Sequence, residues 1–287
     1  MSPQKMKMTL QRELRAKRNK PRKAVIISGL LFLGLIAGGV YLLWNKYRPA
    51  ALLQQGIRLE QQNDLTQALS TYALLIDDYA GNNESAEALY RRARIQQDDL
   101  AEDQRALLSY LLLEKNYPQS TFVVFAQQKA AELTKYRLDS CGQAIPIYQR
   151  LIEKSGASGD LYQYEIGDCY AHLENWPQAA IEFETLLDNY PQSELSAMTG
   201  FRLADSWLLS DQRDKARTGF ELVLSEYPNS NIVHEARFRL AEMLEEDEHL
   251  TEALQAYSVL TGYPRQDLLK QKIKRLKERI SRKKKVL

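Results

Sequence analysis

The string NYPQS stands at Asn116–Ser120 and again, letter for letter, at Asn189–Ser193, with EYPNS at Glu226–Ser230 and GYPRQ at Gly262–Gln266. Their tyrosines, at 117, 190, 227 and 263, together with Tyr79 in DDYAGN, fit one unit of about 36–38 residues if a degenerate copy lies near Lys154. An independent marker fills that gap. Ala-x-x-x-[Tyr/Phe] occurs at Ala68/Tyr72, Ala106/Tyr110, Ala144/Tyr148, Ala179/Phe183, Ala216/Phe220 and Ala253/Tyr257, at spacings of 38, 38, 35, 37 and 37. Six copies at a near-constant period predict a repeat architecture.

Between the markers the apolar residues follow a helical period. Ala179, Ala180, Phe183, Leu186, Leu187 and Tyr190 recur at i, i+3, i+4 and i+7, and Leu161, Ile166, Gly167, Tyr170 and Leu173 form a comparable stripe before them. Each unit therefore reads as two antiparallel helices, A then B, joined by short polar turns such as LENWPQ and LSDQRD. One such pair cannot bury its apolar face alone, so neighbouring pairs must stack to make the core. Small residues at Gly56, Ala93, Gly167, Ala204 and Ala241 let A and B cross closely. In the Tyr-Pro-x-Ser joint, Tyr ends the buried face of helix B, Pro stops that helix, and Ser120, Ser193 or Ser230 is placed to cap the next helix A.

The pattern of Gly167, Tyr170, Ala179, Phe183 and Pro191 resembles the tetratricopeptide repeat, over residues 51–265. The resemblance implies an all-α solenoid of six helix pairs. The Tyr-Pro-x-Ser closure is most similar to periplasmic tetratricopeptide proteins of Gram-negative bacteria, such as the Tol–Pal coordinator and the outer-membrane assembly lipoprotein. The anchored architecture looks more like the ancillary tetratricopeptide subunit of the Sec translocon.

That anchor is Ala24–Trp44, 21 residues without a charge, about 31 Å as a helix and enough to cross a bilayer core. It is too long for the apolar core of a cleaved signal, and no small-x-small site follows. Nine Lys/Arg precede it between Lys5 and Lys23, while Lys46 and Arg48 follow closely. The positive-inside rule then holds the N-terminus in the cytoplasm and places the repeats in the periplasm. Gly34 and Gly38 within the span are a candidate homodimer contact. The expected order is a basic tail (1–23), the span (24–44), a linker (45–50), the solenoid (51–265), and a capping helix with a basic tail (266–287).

The formal charge of +2 over 287 residues hides segregation. Residues 49–269 carry 18 Lys/Arg against 35 Asp/Glu, while 270–287 carry ten bases and one acid, Glu278. In the last segment Leu269, Ile273, Leu276 and Ile280 fall at a 4-3-4 spacing suited to a helix that covers the final repeat. Its bases suit anionic lipid, the acidic body of another copy, or an acidic partner. Nucleic acid is not expected beyond the inner membrane.

The A helices of such solenoids line a groove that takes peptides. Aligned on the small residue they supply Tyr90, Arg91 and Arg94; Tyr164, Glu165 and Asp168; Phe201, Arg202 and Asp205; Phe238, Arg239 and Glu242. Two readings stay open. In one the aromatics form a ladder that anchors a peptide; in the other they pack between helices, and Arg202/Asp205 and Arg239/Glu242 are i,i+3 pairs on a solvated face. Cys141 and Cys169, near the start of one B helix and late in the following A helix, are candidates for a disulfide across the turn near Ala157. His172, His234 and His249 are scattered, and no phosphate loop, nucleophile elbow or His-Glu-x-x-His is present. No catalytic residue, metal or cofactor is expected, and so no enzyme. The expected role is a scaffold or chaperone-like module for envelope proteins. Alternatives are a fixed subunit of a secretion, pilus or outer-membrane assembly machine, or an accessory to peptidoglycan synthesis.

Overall fold

The computed structural model describes residues 2–155 and 159–286, so the turn near Ala157 lies outside them. Every regular element among the described residues is helical. The chain divides into two compact units, residues 1–92 and 93–287.

The first unit holds α1 (Pro3–Gln61), α2 (Leu65–Asp78) and most of α3 (Asn83–Arg94). The expected linker at 45–50 is not a break, because α1 is helical from Pro3 through it to Gln61. Pro49 lies inside this run, where a proline removes one i→i−4 hydrogen bond, yet the chain is helical on both sides of it. Residues 25–61 contain a stretch long and apolar enough to cross a membrane, none of it buried by the protein. A Cβ at Gly34 or Gly38 would meet nothing within 4 Å. Further along α1, Gly56 packs so closely on α2 that a Cβ there would lie 2.3 Å from Tyr72 Cε1. The fully buried Tyr72 keeps its hydroxyl satisfied by donating to Glu60 at 2.9 Å, and Arg91 on α3 lies 3.2 Å from the same carboxylate.

The second unit continues with α4 (Asp103–Asn116), α5 (Phe122–Glu132), α6 (Cys141–Ser155), α7 (Gly159–His172), α8 (Trp176–Asn189), α9 (Ser196–Leu209), α10 (Arg213–Glu226), α11 (Val233–Glu246), α12 (Leu250–Ser258) and α13 (Gln266–Val286). Consecutive helices pack on one another from α4 through α13, which makes a solenoid of A/B pairs closed by a terminal helix. Ala131, fully buried, is the small residue of the third pair. A Cβ at Gly167 would lie 2.6 Å from Phe183 Cε1, so the close A/B crossing demands glycine there.

Every A-to-B turn uses one left-handed residue that is not glycine: Asn63, Ala101, Asp139, Glu174, Asp211 and Glu248, with φ between 49° and 63°. The B-to-A joints are equally regular. Tyr117, Tyr190 and Tyr227 cap the C-termini of α4, α8 and α10, and each tyrosine carbonyl accepts from the serine N–H three residues on, a proline-containing β-turn. The hydroxyls of Ser120, Ser193 and Ser230 then accept the N–H of Phe122, Leu195 and Ile232 at 3.3, 3.1 and 3.4 Å. The expected helix caps are not made: the N-cap positions are Thr121, Leu195 and Ile232, without side-chain cap hydrogen bonds, and each serine hydroxyl instead accepts the N–H two residues on, within the turn that precedes the A helix.

Two A helices depart from the rule by ending in π-turns, Ile95–Asp99 and Leu133–Arg137. From Ala93 to left-handed Ala101, and from Ala131 to Asp139, the chain takes one residue more than from Gly167 to Glu174. A π-turn absorbs such an inserted residue by widening one helical turn. It also accounts for the two longer spacings that open the series.

The capping helix behaves as its stripe predicts: Leu269 and Leu276 are buried, and Ile273 and Ile280 half-buried, against Phe238, Tyr257, Leu260 and Tyr263.

Candidate functional site

The aromatics of the A helices face the B helices of their own pairs. Tyr164 meets Phe183 with ring centroids 5.6 Å apart, Phe201 meets Phe220 at 5.5 Å, and Phe238 meets Tyr257 at 5.3 Å, all tilted. Only 9% of Phe201 and 3% of Phe238 is exposed, whereas Tyr164 and, in the first unit, Tyr90 are half-buried. The open side of the A helices is instead lined by charges paired between repeats. Arg202 donates to Asp168 of the preceding A helix, Arg239 Nε lies 3.1 Å from Asp205, and Lys272 lies 3.2 Å from both Glu242 and Glu245. Arg239 also bonds Glu242 at 3.2 Å, the i,i+3 pair, while Arg202 passes over Asp205 in favour of Asp168. In the first unit Arg91 is held by Glu87 at 2.8 Å as well as by Glu60. Arg94 is more open, 3.8 Å from Asp98.

Two rungs of this ladder differ in charge chemistry. Burial would raise the Asp168 pKa, but hydrogen bonds and charge from Lys135, with the Arg202 guanidinium beside it, bring it below the usual carboxylate range. At Asp205 burial prevails and the pKa is raised despite Arg239 and Arg202. The geometry explains the difference: Arg239 Nε is near Asp205 Oδ1 without aiming its N–H at it, so that buried oxygen accepts no hydrogen bond.

The aromatic column is interrupted in the third pair. Three residues before Ala131 stands Gln128, where the second, fourth, fifth and sixth A helices have Tyr or Phe and the first has Leu53. Gln128 reaches across to the Tyr162 hydroxyl, and Tyr162 rather than an A-helix aromatic of its own pair stacks on Tyr148, at 6.2 Å and 27°. The rearrangement leaves a cleft of about 370 Å³ lined by Gln97, Gln128, Leu133, Tyr136, Leu161 and Glu165, among others. Both π-turns contribute to it, Gln97 from one and Tyr136 from the other. Tyr136 is 63% exposed and Leu161 47%.

The charges at the cleft are already spoken for. Glu165 accepts from Lys135 and, at 2.7 Å, from the Tyr136 hydroxyl; burial and this carboxylate push the Tyr136 pKa up to about 12. Arg137 is held by the Gln97 carbonyl at 3.2 Å and by Asp103 at 2.9 Å, and Glu132 by Lys129 at 2.8 Å. What faces outward is a tyrosine and leucine wall with amide groups at its rim, suited to an apolar side chain on an extended backbone. Of the twelve sequence-predicted groove residues, the cleft uses Glu165 alone. The signal that marks it is the missing aromatic at Gln128.

Cys141 and Cys169 are both buried and carry free thiols. Burial and a hydrogen bond with Cys141 raise the Cys169 pKa, so the thiol rather than the thiolate is favoured. Among the described residues no three His, Cys, Asp or Glu side chains converge as a metal site requires.

Two family models described as tetratricopeptide repeat match the chain, one over residues 133–194 and the other over 87–120 and 199–230. No curated protein matches it. Among solved structures, a tetratricopeptide repeat protein from Parabacteroides merdae is 16% identical, with 79% of this chain and 98% of that one covered at a TM-score of 0.47. MamA from Desulfovibrio magneticus is 15% identical over 64% of this chain and 97% of its own, at a TM-score of 0.43.

Proposed function

We propose that this chain of tetratricopeptide repeats is a non-enzymatic module that holds partner polypeptides, anchored by α1 in the inner membrane and facing the periplasm. The observation that carries the binding half of the reading is the cleft at the π-turns. Tyr136 and Leu161 present apolar surface to solvent there, while the neighbouring charges are consumed by one another. Apolar surface kept open beside charges that are already paired is equipped to bind. Support for the anchor is the unburied apolar stretch of α1 and the nine bases ahead of Ala24. The partners are envelope proteins or peptides that expose apolar side chains on extended backbone.

In-cell crosslinking followed by mass spectrometry tests the reading. Recovery of many unrelated envelope polypeptides marks a chaperone-like holder, and a fixed set at a defined ratio marks a subunit of an assembly machine. Recovery of no polypeptide sinks the proposal.

A further inference from the structure

The helix α13 divides its basic side chains between two faces. On the inner face Lys272, Arg279 and Lys283 are neutralised by Glu242, Glu245 and Glu248 of α11 and its turn, at distances of 2.7 to 3.2 Å. On the outer face Lys270, Lys274, Arg275, Lys277 and Arg282 are exposed. Lys270 and Arg282 touch only acids of their own helix, Asp267 at 3.8 Å and Glu278 at 4.0 Å. Lys274, Arg275 and Lys277 meet no carboxylate among the described residues. We propose that this outer face of α13 is a docking surface for an anionic bilayer.

The inference rests on the reading that α1 spans a membrane, which supplies the surface. Three observations favour lipid over an acidic polypeptide. The basic side chains extend about 18 Å along the helix from Lys270 to Arg282, with Lys270, Lys274 and Lys277 on one strip and Arg275 and Arg282 about a quarter turn to its side, a broad distribution that suits a sheet of phosphates better than a few placed carboxylates. The apolar stripe of Leu269, Ile273, Leu276 and Ile280 is already spent on the last repeat, so the helix has nothing to insert and must lie on the head groups. The acidic excess of residues 49–269 would be repelled by the same surface, which confines the contact to α13. Attachment of this kind is electrostatic: each basic residue near an anionic surface strengthens it about five-fold, and salt screens it.

The test uses the full chain reconstituted one per lipid disc, with a dye on Ser281→Cys, an exposed position of the outer face, and an energy acceptor on the lipid head groups. Cys141 and Cys169 are buried and do not compete for the dye. The expected result is strong transfer in discs rich in anionic lipid and weak transfer in zwitterionic discs. Transfer should be lost at about 1 M salt, where the screening length is about 3 Å. The double substitution Lys274→Gln/Lys277→Gln should lower the ratio of docked to undocked helix about 25-fold. Weak transfer in every disc, with the chain still embedded, overturns the proposal and leaves the reading of α1 intact. A chain that does not enter discs at all overturns both. A dye that ignores lipid charge while its anisotropy rises with polyglutamate assigns the face to an acidic polypeptide and overturns the proposal.

Discussion

Gly167 occupies a point where α7 packs closely on α8, with Phe183 Cε1 2.6 Å from where a Cβ would stand. The Gly167→Ala substitution must displace a fully buried ring, and is expected to cost about 1–3 kcal/mol in chemical denaturation. An unchanged midpoint would show that the ring has room to shift. The charge ladder makes a second prediction at this scale. Because the Asp168 pKa is lowered on folding, its contribution is present above the unfolded value of about 3.9 and is lost as pH falls through the folded one. Stability should therefore decline on the acid side of about pH 4, and Asp168→Asn should flatten that decline while costing about 1–2 kcal/mol at neutral pH. Asp205 has the opposite sign: its pKa is raised, so its ionised form opposes folding and protonation relieves it. Asp205→Asn should cost less than Asp168→Asn, since Arg239 keeps Glu242 at 3.2 Å. The reverse order, read in denaturation curves at pH 7, would contradict the assignment. The small residues and the B-helix aromatics were legible in the sequence because close packing tolerates few residue types. Arg202 pairing with Asp168 rather than Asp205 was not, because i,i+3 spacing gives no sight of the neighbouring repeat.

At the scale of elements, helix pairs, joints and the terminal helix were readable because each is set by local chemistry, an apolar stripe or a proline stop, whereas the joint serines bond within the turn and not at the helix N-caps. The continuity of α1 through residues 45–50 and the two π-turns were not. Pro49 reads as a stop, yet α1 continues through it, and a π-turn is written only as one extra residue in a spacing. The cleft follows from both kinds of signal, an inserted residue in each of two A helices and Gln128 in place of an aromatic. The A-to-B turns offer a test of the register. Ala101 sits at φ 53°, a region that costs an L-residue with a Cβ about 1–2 kcal/mol. Ala101→Gly should therefore raise stability by about 0.5–1 kcal/mol once the freer unfolded chain is counted. A loss of stability would mean that the turn is not left-handed there.

At the scale of the whole molecule, composition alone conceals the organisation: a net charge of +2 averages over basic ends and an acidic middle. Topology gives those ends their meaning. Alkaline phosphatase fused after Leu287 should be active in cells if the repeats lie in the periplasm, and an inactive fusion would place them in the cytoplasm. The binding claim is tested most directly by a photo-crosslinking amino acid placed in cells at Tyr136 or Leu161, with Ile181, 52% exposed on α8, as the control. The account predicts crosslinked polypeptides from the two cleft positions and few or none from Ile181. Equal yields from all three, or none from the cleft, would contradict it.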